Sequence, residues 1–379
     1  MGKKNFNWGA GLFIIGYHLL LLIGLPIYLY NNTPSTTLVT LSLALVFVTG
    51  VCVTSLYHRK YSHPTYKINK WIEAPILFLA TAATQGSALR WGYDHREHHA
   101  YVDSDRDPYS INKGFWYAHF LWLFEKPREI QNRVVSDLLK NKMIVFQHRF
   151  YGLLMVVTNV MITLFFGWLL NDYLGAFFFI WLVRLFLLHH LTWFINSLAH
   201  YWGTQRFSRE HSACDNYALC LLTFGEGYHN YHHTFANDYR NGIRWYHFDP
   251  TKWFIWTLSK LGLAHDLRTA DEFRVKELII KDSCGEIFEA LKKSFHDQKE
   301  TVEKKVHLLS ESLLEKLSLL NKQTQQYYAY KKEKIHDHDL LNKLDLEIKI
   351  LKKSSKEEWK EFRSFYRSLV KEKYPARTQ

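Results

Sequence analysis

Cysteine is scarce in this chain, and its spacing fits no metal site or disulfide framework. Four cysteines stand among 379 residues, and no two of them form a C-x-x-C pair. This pattern argues against both thiolate metal ligation and structural disulfides. Nucleic-acid-binding motifs are also missing despite a formal net charge of +12, and the basic residues are interleaved with acidic ones. We therefore expect no nucleic acid, and instead an anionic membrane surface or substrate head group as partner.

Charge is nearly absent from four long stretches of the chain. A membrane-spanning helix needs about 20 mostly apolar residues. Four runs have this length: 9–30, 37–57, 150–170 and 174–199. The connections 31–36 and 171–173 lack Lys and Arg, whereas the other segments outside the runs are rich in both, as is typical of the cytoplasmic side. We predict an all-α polytopic membrane protein with four transmembrane helices, a cytoplasmic helical cap and both termini in the cytoplasm.

The composition changes after about residue 268. Lys, Glu, Leu and Gln dominate from there on, and leucines recur at helical spacing at Leu309, Leu313, Leu317 and Leu320. We predict a membrane domain over residues 1–268 and a charged helical extension over residues 269–379. Its helices are expected to pack together or against the cytoplasmic face, and binding to a membrane surface or self-association is the alternative.

Histidine is abundant, and nine of the 21 histidines form four clusters, HRKYSH, HREHH, NSLAH and HNYHH. The nine are His58, His63, His95, His98, His99, His200, His229, His232 and His233. Residues at i, i+3 and i+4 share a helix face, so each H-x-x-H-H run is expected to direct three imidazoles at one point. Neutral imidazole is a good iron ligand, and nine are more than one ion can take. We predict two metal ions with positions left open for oxygen.

A single cluster would have a simpler explanation, since a lone HRKYSH could be a polar cap at the membrane interface. The combination of clusters on one side of four spans favours metal binding. His200 alone could equally be a satisfied polar residue, and Asn196, one turn earlier, could reach the same site. The other twelve histidines, including His211, lack this spacing and are interpreted as structural or polar.

Acidic residues near the clusters are candidates to orient the imidazoles through their second ring nitrogen. These candidates are Asp94, Glu97, Asp103, Asp107 and Glu226. Each could instead be a helix cap or a salt-bridge partner.

The motifs HRKYSH, DHREHH, WFINSLAH and GEGYHNYHHTF resemble the histidine boxes of the stearoyl-CoA-type (delta-9) acyl-CoA desaturases, and the likeness covers about residues 10–270. The resemblance implies that the nine histidines bind two irons directly and that Asn196 contributes through a water. It also implies that Gln85, Trp91 and Thr192 bend the acyl chain. The expected activity is oxygen-dependent insertion of a cis double bond at the delta-9 position of a C16 or C18 acyl-CoA. Zinc could replace iron in recombinant material, because it also accepts imidazole.

Electrons for this reaction have to come from outside the site. The H-P-G-G signature of a fused cytochrome b5 domain is absent from the sequence. We therefore expect a separate electron donor, such as cytochrome b5 or ferredoxin with its reductase. The missing fused domain and the unusual extension favour a bacterial inner membrane over the endoplasmic reticulum.

Three other functions stay open at the level of sequence. An acyl-lipid desaturase would act on the same chain attached to a lipid, and a membrane di-iron hydroxylase would leave oxygen in its product. The non-enzyme alternative is a metal transporter or sensor. Transporters place polar residues within their spans, whereas the ligand candidates here lie at one end of the spans.

Overall fold

The computed structural model describes residues 6–292, 299–333 and 337–370. Helices dominate this part of the chain, and its two strands, β1 (Lys67–Ile68) and β2 (Ala264–His265), form one short antiparallel pair. The all-α prediction is confirmed. The chain divides into two compact units, Met1–Gln205 with Arg209–Thr269, and Arg206–Ser208 with Ala270–Gln379.

The first unit contains eleven helices within the described residues. In chain order they are α1 (Trp8–Asn31), α2 (Thr36–Ser62), α3 (Lys70–Ala82), α4 (Ala88–Tyr101), α5 (Phe115–His119), α6 (Lys142–Arg149), α7 (Tyr151–Leu170), α8 (Tyr173–His200), α9 (Tyr217–Leu222), α10 (His229–Thr234) and α11 (Pro250–Lys260). Short 3₁₀ turns lie at Ile111–Lys113, Leu121–Phe124 and Leu138–Lys140. Helices α1, α2, α7 and α8 are long and apolar enough to cross a membrane, which confirms the four predicted spans.

Polar residues at the predicted connections set the ends of the spans. Ser35 Oγ accepts a hydrogen bond from the Leu38 N–H at 3.1 Å and so caps the start of α2. Asn171 adopts a left-handed conformation with φ of 51° and ends α7. Asp172 then caps α8, because its carboxylate accepts a hydrogen bond from the Gly175 N–H at 2.7 Å. Each pair of spans is thereby closed into a hairpin over a short polar connection.

The four spans differ in how much of their apolar surface is covered by protein. Within the most apolar 18-residue stretch of each span, the buried share is 22% in α1 and 28% in α7. It is 44% in α2 and 56% in α8. Leucines on the outer spans, such as Leu22 and Leu153, are exposed. Apolar side chains exposed on a membrane span contact lipid, so α1 and α7 are peripheral. The central spans α2 and α8 end at the first and third histidine clusters.

The one charged residue inside the predicted spans is fully satisfied by its neighbours. Arg184 is buried in α8, and its guanidinium donates to the carbonyl oxygens of Ile180 at 2.7 Å and Ala82 at 3.2 Å. It also donates to the side-chain oxygen of Asn159 on α7. An arginine at membrane depth is costly unless it is paired in the protein interior. Arg184 therefore ties α8 to α3 and α7.

The second unit is built from α12 (Glu272–Lys292), α13 (Lys299–Lys332) and α14 (His338–Val370). These helices share an apolar core that includes Ile280, Ile287, Val306, Leu313 and Phe362. Of the leucines singled out by their helical spacing, Leu313, Leu317 and Leu320 are buried and Leu309 is half-buried. The described part of the extension is therefore helical with a core of its own.

Candidate metal centre

The nine histidines of the four clusters come together in space in two groups. The first group, called group A, contains His58, His63, His95, His99 and His232. The second, group B, contains His98, His200, His229 and His233. Each ring of a group offers one nitrogen, and these nitrogens all lie within 4.8 Å of one another. Each group has the composition and spacing of a site that could hold one metal ion.

Each H-x-x-H-H run is divided between the two groups. His95 and His99 of α4 belong to group A and His98 to group B, whereas on α10 His229 and His233 belong to group B and His232 to group A. The expectation that one run directs three imidazoles at one point is therefore wrong. The first and third histidines of a run are four residues apart and lie on nearly the same side of the helix. The second and third are adjacent in sequence, and their side chains point about 100° apart around the helix axis. Each run thus supplies two rings to one group and one to the other.

The HRKYSH cluster reaches group A because the end of α2 is not α-helical. The segment Val53–Ser62 is π-helical, and His63 follows it directly. In a π-helix hydrogen bonds join residues five apart. His58 and His63 are five residues apart, so the wider turn brings both rings to the same side, where their centroids lie 5.1 Å apart.

Within each group, the imidazole rings approach one another through their Nε2 atoms. In group A the Nε2 atoms of His58 and His232 are 2.9 Å apart, and those of His63 and His95 are also 2.9 Å apart. In group B the corresponding distances are 3.0 Å for His200 and His229 and 3.3 Å for His98 and His233. Imidazole nitrogens bind zinc at about 2.0–2.1 Å, so two ligands of one ion lie about 3 Å apart. The donor set and its spacing fit a metal ion in each group.

The opposite ring nitrogen, Nδ1, has a hydrogen-bond partner in four of these histidines, of which His95 is described below. His58 Nδ1 lies 2.7 Å from Glu226 Oε2, and His98 Nδ1 lies 2.9 Å from Asp107 Oδ1. His200 Nδ1 lies 2.8 Å from the hydroxyl of Ser212. An ionised carboxylate only accepts hydrogen bonds, so Nδ1 carries the proton and leaves the Nε2 lone pair facing the group. These partners fix the tautomer that metal binding needs.

Most of the imidazoles outside the spans lie in an environment that favours their neutral form. Among the histidines that lie outside the four spans, burial, followed by repulsion from neighbouring histidines, lowers the pKa of six well below the ordinary value. The six are His63, His95, His99, His229, His232 and His233. A neutral imidazole is the form that binds metal, so the lowered pKa values of these six rings favour metal binding.

Glu226 is the centre of a buried polar network beside group A. Burial alone would raise its pKa, but His58 and Arg59 lower the pKa to about 2. The Arg59 guanidinium donates to Glu226 and to Asp249, each at 2.8 Å. Asn241 Nδ2 donates to the other carboxylate oxygen of Glu226 at 2.7 Å. The carboxylate is therefore ionised and fixed in position against His58.

Of the five candidate orienting carboxylates, Glu226 and Asp107 contact histidines directly, as described. Asp103 acts through Ser212, whose hydroxyl donates to Asp103 Oδ1 at 2.6 Å while it accepts from His200. Asp94 and Glu97 form salt bridges with Arg90 and Arg106 instead, with N···O distances of 3.3 and 3.6 Å. For Asp94 and Glu97 the salt-bridge alternative is therefore the one observed.

Two residues that contact the histidines were not predicted from the sequence. Ser212 lies in the loop between α8 and α9, and the hydroxyl of Tyr109 is 3.2 Å from His95 Nδ1. Tyr109 ends the stretch DSDRDPY, residues 103–109, and no local spacing in this stretch marks it as a partner of a histidine. Nothing in the local pattern around Ser212 marks it.

The predicted substrate-shaping residues lie beside the histidines or against each other. Gln85 Nε2 donates to Thr192 Oγ1 at 2.9 Å, which joins the loop before α4 to α8. The Trp91 ring stacks on His95 with a centroid distance of 4.8 Å and an interplanar angle of 21°. Asn196 is half-buried on α8, one turn before His200. Its role as a ligand through water stays a prediction.

These features define a four-span helical membrane protein with a histidine-rich centre that could hold two metal ions. The model of the fatty acid desaturase family matches residues 34–266, a range that contains all nine histidines. The chain belongs to this family.

Three curated relatives illustrate the similarity. A probable acyl-CoA desaturase of Schizosaccharomyces pombe is 42% identical over 286 residues, which are 73% of this chain and 58% of the relative. Acyl-CoA desaturase 1 of Saccharomyces cerevisiae is 38% identical over 75% of this chain and 56% of its own length. The sn-2 palmitoyl-lipid 9-desaturase of Nostoc sp. is 36% identical over 57% of this chain and 75% of its own length. The chain spans a little over half the length of the two yeast relatives.

Proposed function

We propose that this protein is an oxygen-dependent acyl-CoA desaturase that inserts a cis double bond at the delta-9 position of a C16 or C18 acyl chain. The observation that carries the proposal is the pair of histidine groups, whose Nε2 atoms converge at 2.9 to 3.3 Å. The names of the two yeast relatives support acyl-CoA as the substrate, and the name of the Nostoc relative supports the position of the double bond.

The metal proposed for groups A and B is iron, with one ion in each. Nitrogen ligands suit iron, and neither group contains a carboxylate or thiolate ligand among the described residues. When bound, the two irons supply the oxidising chemistry that removal of hydrogen from an unactivated methylene requires and that side chains cannot supply. Zinc in recombinant material would occupy the same nitrogens.

The chain's own residues position the ligands and the substrate. Glu226 and Asp107 hold His58 and His98 in the tautomer that turns Nε2 inward. The Trp91 ring, stacked on His95, presents an apolar surface beside group A. We propose that this surface and the hydrogen-bonded pair of Gln85 and Thr192 form the wall that bends the acyl chain. A saturated chain prefers an extended conformation, so a cis product requires such a wall.

Replacing Trp91 by alanine is expected to lower turnover by about tenfold or more while leaving iron content unchanged. The ring contacts a proposed ligand without being one, and displacing a substrate by about 1 Å can cost up to a hundredfold in rate. Iron analysis and the initial rate on the same preparation check this. Trp245→Ala, at an exposed tryptophan, serves as the matched control. Equal losses of iron and turnover in Trp91→Ala would show that the ring supports the metal site instead.

The experiment that tests the proposed substrate compares two forms of the same acyl chain. Iron-loaded protein is supplied with reductant, oxygen and either stearoyl-CoA or a stearoyl phospholipid, and the position and geometry of the new double bond are determined by mass spectrometry. We expect a cis-9 monoene from stearoyl-CoA. Conversion of the phospholipid alone would establish the acyl-lipid alternative. A trans product, or a bond placed at a constant distance from the methyl end, would contradict the proposed acyl-binding wall.

The proposed reaction also needs an electron donor and a membrane. We keep the prediction of a separate donor, such as cytochrome b5 or ferredoxin with its reductase, and of cytoplasmic termini. The preference for a bacterial inner membrane over the endoplasmic reticulum also stays a prediction. The two yeast relatives support a eukaryotic membrane as the alternative.

Removal of the residues after Thr269, which form most of the second unit, is expected to leave the metal centre in place. Every member of groups A and B lies before residue 234, within the first unit. A chain ending at Thr269 should therefore bind the same iron per chain as the full chain and keep part of its activity, with a lower thermal unfolding midpoint as the main loss. A folded truncated chain without iron would show that the extension helps to build the centre.

A further inference from the structure

His211 is a partly buried polar side chain to which the sequence assigned no special role. It lies in the loop between α8 and α9, its ring is half-buried, and both ring nitrogens are shielded from solvent. Neither nitrogen has a hydrogen-bond partner among the residues that the structure describes. A neutral imidazole carries one donor and one acceptor, and leaving both buried and unpaired is unfavourable. A ligand that pairs with this ring would remove that cost.

The ring lies at the edge of group B. Its centroid is 5.2 Å from that of His233, with an interplanar angle of 46°. Within group B, His98 and His200 lie 5.0 and 5.1 Å from His233 by the same measure. His211 is thus as near to His233 as two members of the group are. His211 is not among the four histidines whose nitrogens lie within 4.8 Å of one another, so it lies next to group B without being part of it.

The backbone around His211 is fixed to the same site. Gln205 Nε2 donates to the His211 carbonyl oxygen at 2.6 Å. The next residue, Ser212, donates its backbone N–H and its hydroxyl to the two carboxylate oxygens of Asp103, each at 2.6 Å. The same hydroxyl accepts from His200, a member of group B. The loop that orients His200 therefore also sets the position of the His211 ring.

Group B contains one histidine fewer than group A. It provides four imidazoles against five in group A, so a metal ion in group B has more positions available for solvent. Residues that hydrogen-bond to metal ligands tune the affinity and reactivity of the metal. An unpaired imidazole at the edge of this group is suited to that role.

We infer that His211 is a positioning residue of the group B metal, and that its ring hydrogen-bonds a solvent molecule bound to that ion. The inference rests on the proposed function, because it requires a metal in group B. It extends the site beyond the nine histidines and Asn196. It also gives the buried nitrogens of His211 a partner.

Cobalt binding to the full chain tests this inference without relying on turnover. Metal-free wild-type protein, His211→Phe and His211→Gln are titrated with Co²⁺, and stoichiometry, affinity and the visible absorption of bound Co²⁺ are recorded. Phenylalanine keeps a ring without the nitrogens, and His211→Ala serves the same purpose if the larger ring disrupts the loop. Glutamine keeps a hydrogen-bonding group. His265→Ala, at an exposed histidine on β2, is the matched control.

We expect two Co²⁺ per chain in all variants. In His211→Phe the affinity of one of the two sites should fall about tenfold and its absorption band should change, because outer ligands typically contribute ten- to a hundredfold in affinity. His211→Gln should restore most of the affinity. A His211→Phe protein with wild-type affinity and spectrum would overturn the inference while leaving the proposed function intact. A wild-type chain that binds fewer than two ions would overturn both.

Discussion

His232→Ala is expected to lose iron from group A, and His98→Ala from group B, and both variants should fall below detectable desaturation. His232 Nε2 lies 2.9 Å from that of His58 and 3.0 Å from that of His99, so its ring is central to group A. His98 belongs to group B, and its ring is held in position by the contact of Nδ1 with Asp107. An alanine at either position removes a nitrogen that no neighbouring side chain can replace.

Iron analysis and product formation on the same preparations check this prediction. Each variant should contain about one iron per chain or less, against two in the wild type, because each group holds one ion by four or five imidazoles. His265→Ala should match the wild type in both measurements. Full activity in either ligand variant would remove that histidine from the proposed metal site.

Glu226→Ala is expected to destabilise the fold and to weaken metal binding together. Its carboxylate contacts His58 Nδ1, the Arg59 guanidinium and Asn241 Nδ2, all buried. Removing one partner of a buried ion pair typically costs about 3–5 kcal/mol, because the remaining charge is left with incomplete pairing. Loss of a partner that orients a ligand also lowers metal affinity by about ten- to a hundredfold.

Thermal unfolding in detergent and Co²⁺ titration separate the two effects. Glu226→Gln keeps a group that can accept from His58 but loses the charge that pairs with Arg59, so we expect an intermediate metal affinity and a clear loss of stability. Glu277→Ala, at a carboxylate of α12 in the second unit, is the control for loss of a charge outside the centre. A Glu226→Ala protein as stable as the wild type would show that Asp249 alone satisfies Arg59.

Much of the fold could be predicted from the sequence because the physical signals are local. The length of an apolar run sets whether a helix can span a bilayer, and a helix that is long and apolar enough lies at each of the four predicted spans. The histidine clusters could be recognised for a similar reason, since their spacing is far from that of a random surface.

The assembly of the centre could not be predicted, because it depends on how helices are oriented towards each other. Helical spacing alone does not show that His98 and His99, adjacent in sequence, face different groups. On an α-helix, residues five apart point in different directions, so the π-helical end of α2 was needed to bring His58 and His63 together. Ser212 reaches His200 from a loop, a contact set by tertiary structure with no local periodicity.

The fate of molecular oxygen tests the central claim most directly. Iron-loaded protein is supplied with stearoyl-CoA, reductant and molecular oxygen labelled with oxygen-18, and the mass of the product is measured by mass spectrometry. A desaturase releases both oxygen atoms as water, so the account predicts a monoene that lacks two hydrogens and carries no label. A product that retains labelled oxygen would identify the membrane hydroxylase alternative and contradict the account.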